Sequence, residues 1–493
     1  MATSNDDLCN LSALELADLL NAGETTSVKI VAALQERIAL VDAPESAIAL
    51  RSVLALAPDA LEEARRCDDE RRAGEVRGPL HGVPILIKDN VEVVGLPSTA
   101  GSTALVGRAV EVDAPLVTRL RNAGLIVLGS TNLSQWANMR SPFSTSGWSA
   151  VGGLTVNPYR LDRCAGGSSS GSGAALAARL APLAVGTETD GSITCPASLN
   201  GVAGIKPAVG TVSSQGVIPI SASQDSPGPM ARTIRDVAAL YEVLAERTDV
   251  VSTVEAGTGD VRVAVATNLM TGHRATDEVF RQAVERARAD AMNLFDVAVA
   301  QKDAEVDADE LTVELCEMFD DLTRNLSRRA GVGPSSLEEV ITFENEHADV
   351  ELTYFGHEYF DQSLATGGRA NESYAPARAR NLKWAIEVCL SPALADADCL
   401  IAPSYSPAWK NDLVLGGSGG ARWSDLTQAA AIAGWPIATV PMGLIDGLPV
   451  GLSIVGRPGD EPTILAAAAH FERALGLVAS GALTPHFIAP QRG

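Results

Sequence analysis

The sequence predicts an α/β fold: a large mixed β-sheet covered by helices on both faces, with a helical cap-like insertion. Three observations carry this. Short apolar runs rich in Val, Ile and Leu alternate with amphipathic helical stretches along the 493 residues, the order expected of a sheet with helical crossovers. No Pro/Gly/Ser linker, low-complexity break or solenoid-length repeat interrupts them, so residues 1–493 read as one domain. The stretch 303–395 reads as helical throughout, and predicts an insertion or cap within that domain.

The elements follow in order. Ser12-Ala13-Leu14-Glu15 is a capping-box pattern that opens a helix, and Gly23 can close it. Val28, Val31, Leu34, Ile38 and Val41 recur at helical spacing and predict a second amphipathic helix. Strands are expected over 83–88, 125–130, 181–186, 261–266, 398–403, 437–442 and 449–455. Residues 426–445 carry no charge, but Gly434, Pro436 and Pro441 divide them into a helix and a strand, which argues against a membrane span. Within 303–395, Tyr354, Phe355, Tyr359, Phe360 and Trp384 read as a helical core stripe, with pocket lining as the alternative.

Chemistry concentrates in three segments. Val83-Pro84-Ile85-Leu86-Ile87 reads as a buried strand, and Lys88 closes it. A lysine there must reach water, pair with Asp89, or lose its charge, because desolvation disfavours the ammonium. A neutral amine near pH 7 is a general base. Downstream, Gly166-Gly167-Ser168-Ser169-Ser170-Gly171 precedes the helix-forming run AALAARL, as a loop opening a helix would. Thr189-Asp190-Gly191-Ser192 follows the apolar run Ala181–Gly186. A tight turn there aims successive N–H groups at one point, as an oxyanion hole requires, and Gly191 allows the backbone to make it.

Two other readings compete. Glycine-rich turns also form phosphate nests, although G-x-x-x-x-G-K-[ST] occurs nowhere in the chain. Gly167-Ser168-Ser169-Ser170-Gly171 also matches G-x-S-x-G, the nucleophile elbow, which should follow a hydrophobic strand. Here Asn157–Arg163 reads as a loop, and the histidine would have to be His470, on a packed helix, or His486.

Taken together, the segments resemble the amidase signature family. The matching blocks are Pro79–Pro84, Lys88-Asp89-Asn90, Gly95-Leu96-Pro97, Thr99–Ser102, GGSSSGSG, Gly186–Ser192, Gly201–Pro207, Asp225–Arg232 and Leu448–Leu452. They span most of the chain, with weak similarity from about 250 to 395. The resemblance implies a layered α/β/α fold and an amidase that cleaves carboxamide C–N bonds through a serine acyl-enzyme, without a cofactor. Ser192 would be the nucleophile, Ser168 the relay, held by a cis peptide after Gly167, and Lys88 the base. The N–H groups of Thr189, Asp190, Gly191 and Ser192 would form the oxyanion hole, and Ser169 would support the network.

Two departures stand out. Ser192-Ile193-Thr194 replaces the family's common Ser-Ile-Arg and leaves Glu188 without that arginine. Ser170 and Ser172 stand where many members carry glycine or another small residue. SGWSAVGG and TETDGSITCPAS look closest to the peptide amidase subgroup, which implies peptide-amide or small neutral amide substrates. A carbamate (urethane) or ester hydrolase with the same triad is the alternative, and a protein like the catalytic component of an amidotransferase is a further one. The intact Lys88, Ser168 and Ser192 argue against a non-catalytic binding protein.

Composition narrows the partners. The formal charge of −23 at pH 7 argues against nucleic acid and anionic membranes. Asp303, Glu305, Asp307, Asp309, Glu310, Glu314 and Glu317 predict a solvated helical face. The seven cysteines, Cys9, Cys67, Cys164, Cys195, Cys316, Cys389 and Cys399, contain no C-x-x-C, and the six histidines no H-x-x-x-H, so no metal is expected. Cys195, close to Ser192, reads as a small buried residue. The N-terminal MATSNDDLCNLS lacks the basic and apolar regions of a signal peptide. The expectation is a cytoplasmic monomer or homodimer acting on a small-molecule amide or carbamate.

Overall fold

Burial defines the sheet. The computed structural model describes residues 5–108, 110–329, 331, 333–417 and 419–489. Its strands in chain order are β1 (Val53–Leu56), β2 (Pro84–Lys88), β3 (Ile126–Thr131), β4 (Trp148–Ser149), β5 (Gly153–Leu154), β6 (Leu183–Glu188), β7 (Ala203–Lys206), β8 (Ser226–Ala231), β9 (Arg262–Ala266), β10 (Asn293–Val297), β11 (Cys399–Pro403), β12 (Ile437–Ile445) and β13 (Leu448–Val455). β4 and β5 pair only with each other; the other eleven form one sheet in the order β1-β3-β2-β6-β8-β7-β12-β13-β11-β9-β10. Parallel pairing joins β3, β2 and β6 on one side and β11, β9 and β10 on the other, with antiparallel strands between. Every residue of β2, β3, β6, β8, β11 and β13 is buried. Successive side chains point to opposite faces, so both faces are covered.

All seven expected strands are present, with β6 lying two residues later than expected and reaching Glu188. Sheet strands β1, β7, β8 and β10 were not expected. β8 reads Ser-Pro-Gly-Pro-Met-Ala, a composition that disfavours an inner strand. β6 pairs along its whole length, whereas β7 pairs only with Met230 and Ala231. Pro227 and Pro229 therefore fall where one side of β8 needs no ladder donor.

Small residues bring the helix Ser170–Ala177 close to β6, β2, β3 and β8. A Cβ on Gly171 would meet the Ser52 carbonyl oxygen at 2.3 Å and that of Asn132 at 2.5 Å, so glycine permits this approach. Near the N-terminus the capping box forms as expected: Ser12 Oγ accepts from Glu15 N–H, and the Glu15 carboxylate accepts from Ser12 N–H at 2.7 Å.

Between β10 and β11 the described chain is helical, with helices Ala304–Leu326, Leu337–Glu346, Ala348–Glu351, Glu358–Thr366 and Tyr374–Leu382, the last continuing through Lys383–Leu390. The expectation of a solvated acidic face is wrong for half of it. Glu305 and Asp307 are exposed. Asp309, Glu310 and Glu317 are buried: Asp309 pairs with Arg380, whereas Glu310 and Glu317 find donors inward. Glu310 accepts from Gln224 at 3.0 Å and Gln428 at 2.6 Å; Glu317 accepts from Ser221 Oγ at 2.7 Å and Tyr374 Oη at 2.6 Å. The aromatic residues divide as well. Phe360 and Trp384 enter apolar cores, Phe355 packs against Trp148, and Tyr359 lines a cavity.

A buried ion cluster docks these helices onto the segment 100–140. Arg140 is fully buried, 3.8 Å from carboxylate oxygens of both Glu344 and Glu351, and donates to the backbone oxygens of Glu351 at 2.6 Å and Phe355 at 3.2 Å. Its guanidinium lies 4.6 Å from the Phe355 ring centroid. Glu344 also accepts from Trp136 Nε1 at 2.9 Å and pairs with His357 at 2.8 Å. Removing the cation leaves Glu351 with no ion-pair partner among the described residues and Glu344 with His357 alone. Arg140→Met should therefore lower the free energy of unfolding by about 3–5 kcal/mol in a urea titration. A loss below about 1 kcal/mol would mean that the cluster does not hold the helices in place.

Candidate active site

The site begins at the end of β2. β2 lies parallel to β6, with Ile87 opposite Val185, so Lys88 emerges beside the end of β6. The side chain is fully buried and does not reach solvent. Nor does it pair with Asp89, whose carboxylate accepts from Ser98 N–H at 3.0 Å, Thr99 N–H at 2.8 Å and the Thr99 hydroxyl. Lys88 Nζ lies 2.8 Å from Ser168 Oγ, 2.8 Å from Thr187 Oγ1 and 3.1 Å from Thr187 O. Burial pulls the amine from 10.5 down to about 7, against the opposing pull of Asp225 and Glu188. A neutral amine has two N–H bonds and one lone pair. Thr187 offers two acceptors for the N–H bonds, and Ser168 offers an O–H for the lone pair.

The loop before the helix Ser170–Ala177 brings Ser168 to this point across 80 residues of chain. The Gly167–Ser168 peptide is cis, and the Ser168 carbonyl accepts from Ser134 N–H at 3.1 Å. Next to it, Ser169 Oγ lies 3.1 Å from Thr187 O and 3.2 Å from Thr187 N, donating to the first and accepting from the second. Ser169 thus ties its loop to the residue that holds Lys88. Ser169 N–H also donates to the Ser192 carbonyl at 3.1 Å, so the two serine loops touch beside Ser168.

Ser192 follows the turn at the end of β6. Gly191 has φ +81°, and a Cβ there would meet Tyr405 Oη at 2.3 Å. Both the conformation and the space require glycine. The backbone N–H groups of Asp190, Gly191 and Ser192 donate to no acceptor among the described residues. Glu188 supports the far side of the turn in the arginine's absence, with Oε2 accepting from Ile193 N–H at 2.6 Å and Thr194 N–H at 2.8 Å. Asp225 holds the near side, accepting from Thr189 Oγ1 at 2.5 Å and from Ile220 and Ser221 N–H at 2.9 and 3.0 Å.

Ser192 is 7 % exposed and lines a cavity of about 410 Å³ together with Thr189, Asp190 and Gly191. Its Oγ has no hydrogen bond to another described residue. Tyr405, Trp409, Trp423 and Tyr359 are the aromatic residues of the wall, and Glu310 and Glu314 join Asp190 as its acids. Lys88 and Ser168 are fully buried behind Ser192.

The nucleophile-elbow reading fails on the position of its histidines. His470 lies on the helix Glu461–Leu475, 3.1 Å from Thr258 and 3.2 Å from Asp290. His486 is exposed. Cys195 borders the cavity, but burial pushes its thiol far up, so it is a thiol rather than a thiolate nucleophile at neutral pH. Elsewhere Cys67, Glu70 and His81 place ligand atoms within 4.8 Å of one another. Arg77 already occupies this trio, contacting Cys67 Sγ at 3.6 Å and Glu70 at 2.9 Å, which makes it a poor cation site.

Sequence reasoning gave no role to Thr187, Asn90 or Asp225. Asn90 Nδ2 donates to Thr187 Oγ1 at 3.0 Å. Asn90 and Asp225 lie inside the motif blocks Lys88-Asp89-Asn90 and Asp225–Arg232, so their positions were visible but their partners were not.

An eleven-stranded mixed sheet with a buried lysine behind two serine loops is the architecture of a hydrolase family. A family model described as Amidase matches residues 29–465, and the chain belongs to the amidase signature family. Among solved structures it is similar to the native peptide amidase from Stenotrophomonas maltophilia, at 40% identity and a TM-score of 0.88, over 94% of this chain and 96% of that one. A putative amidase of Schizosaccharomyces pombe is 32% identical over 92% of this chain and 83% of that protein. A glutamyl-tRNA(Gln) amidotransferase component from Methanosarcina acetivorans is 34% identical over 86% of this chain and 90% of that protein.

The turn geometry is directly testable. Gly191→Ala must hold a side chain at positive φ, which costs about 1–2 kcal/mol, and must also displace Tyr405. Fluorophosphonate labelling of Ser192 should slow by at least about tenfold as the N–H groups lose their aim. Adding Tyr405→Phe should restore part of the rate. Normal labelling of Gly191→Ala would show that the turn tolerates a Cβ.

Proposed function

We propose that this protein is an amidase that hydrolyses carboxamide C–N bonds through an acyl-enzyme on Ser192, with Ser168 as relay and Lys88 as base. One observation carries the reading: the graded burial from Ser192 at the cavity wall to Ser168 and then to a Lys88 amine 2.8 Å behind it. As Ser192 Oγ attacks the carbonyl carbon, its proton passes to Ser168, and the Ser168 proton passes to Lys88. The oxyanion meets the N–H groups of the turn Thr189–Ser192, three of which have no other acceptor among the described residues. The proton then returns through Ser168 to the leaving amine, and water repeats the cycle on the ester. Ser192 Oγ has no hydrogen bond to Ser168 in this structure, and in this reading the relay contact forms when substrate fills the cavity. No cofactor enters these steps.

Similarity to a peptide amidase supports primary carboxamides as substrates, including terminal amides of peptides. Asp190 in the wall disfavours acyl groups that carry a free carboxylate near the scissile bond. In this reading residues 1–493 act as one domain. The helical stretch 303–395 serves as a cap, contributing Glu310, Glu314 and Tyr359 to the cavity.

Ser192→Ala should abolish fluorophosphonate labelling and lower kcat/KM for a primary amide by several orders of magnitude. Labelling that survives in Ser192→Ala but disappears in Ser168→Ala would reverse the two serine roles. A matched primary amide, anilide and aryl carbamate compare the leaving groups, and a carbamate advantage beyond intrinsic reactivity would make the protein a urethanase.

Lys88 sets the pH dependence. The base works as the free amine, so kcat/KM should fall as pH drops below about 7 and level off above it. Lys88→Ala should remain folded by circular dichroism and be nearly inactive. A rise delayed until pH 10 would mean that Lys88 keeps its ordinary basicity.

A further inference from the structure

The wall of the Ser192 cavity has a one-sided charge. Asp190, Glu310 and Glu314 line it, and no Lys, Arg or His does so among the described residues. Glu310 is committed to Gln224 and Gln428. The Asp190 and Glu314 carboxylates receive no hydrogen bond from a described residue, yet both border the cavity. Tyr405, Trp409 and Trp423 line it as well, and aromatic rings attract cations electrostatically. Donor-starved carboxylates beside aromatic side chains form a receptor for an organic cation.

We infer that this cavity selects amides whose acyl part carries an ammonium or guanidinium group, held between Asp190 and Glu314 while Ser192 faces the carboxamide. Asp190 stands two residues before Ser192, so the cation sits close to the scissile carbonyl, as in a basic aminoacyl amide. A cavity of about 410 Å³ has room for such a molecule. The inference rests on the amidase reading and names the substrate class of that same site.

The charges around the pair make the selection dependent on pH. Burial, then Glu310 and Glu188, push the Asp190 carboxyl up, while Lys302 and Lys206 pull it down. Burial, then Glu310, Asp190, Asp225 and Glu317, push Glu314 up, and Tyr359 faces it from the neighbouring helix. Carboxyls raised in this way are neutral in acid and ionise as pH climbs. Cation preference therefore grows with pH for as long as the ligand's own ammonium stays charged.

The test pairs N-acetyl-lysinamide with N-acetyl-norleucinamide, which lacks only the terminal amine. Calorimetry on Ser192→Ala reads binding without chemistry, and kcat/KM on the native chain reads turnover. Lysinamide should bind at least about tenfold tighter at pH 8, with a smaller ratio at pH 6. In Ser192→Ala backgrounds, Glu314→Gln or Asp190→Asn should bring the ratio towards one. Equal affinity, tighter norleucinamide, or a ratio unchanged in both carboxamide variants overturns the inference. Turnover of both amides without preference leaves the amidase reading standing and removes the cation site. Tighter lysinamide binding to a native chain that hydrolyses neither amide keeps the cation site and removes the amidase reading.

Discussion

An amine with no path to water must find its hydrogen bonds inside the protein, and that requirement organises the centre of this molecule. Lys88 ends a strand buried on both faces, so its charge cannot be solvated and its lone pair becomes available near neutral pH. Thr187 takes its two N–H bonds and Ser168 meets its lone pair. Ser169 and Asn90 in turn fix Thr187. The Ser168 loop and the end of β6 are thereby tied, through one or two bonds, to the same desolvated nitrogen.

The turn that presents Ser192 shows how a family can lose one partner and keep its geometry. With threonine at position 194 no arginine faces Glu188, yet the carboxylate accepts two backbone N–H groups on the far side of the turn. Backbone donors do not depend on the identity of the side chain. Asp225 performs the matching task on the near side through Thr189. The turn is held at both ends, while the N–H groups between remain unspent.

The helical stretch between β10 and β11 joins stability to the cavity. Its outer end is locked to the segment 100–140 by Arg140, Glu344 and Glu351, buried together. Its first long helix turns Glu310 and Glu314 towards Ser192. The same stretch contributes Glu310, Glu314 and Tyr359 to the cavity.

The amino-acid order by itself determined whatever depends on neighbours along the chain. Apolar runs marked seven strands, Ser12 and Glu15 marked a helix start, and Lys88, Ser168 and Ser192 stood out against glycine-rich or apolar surroundings. Only the tertiary structure decided what depends on partners far away in sequence. Lys88 could equally have reached water until β3 and β6 closed over it, and its contacts to Ser168 and Thr187 span 80 and 99 residues. β8 became a strand despite two prolines because β6 offered a full ladder and β7 only a short one. The acidic run from 303 to 317 looked uniformly solvated, since a helix's composition does not say which side will be packed. Gln224, Gln428, Ser221 and Tyr374 turned half of it inward by offering donors to Glu310 and Glu317. Local sequence sets the propensity of each segment, but charge state and orientation follow from desolvation and donor supply, which exist only once the chain has folded.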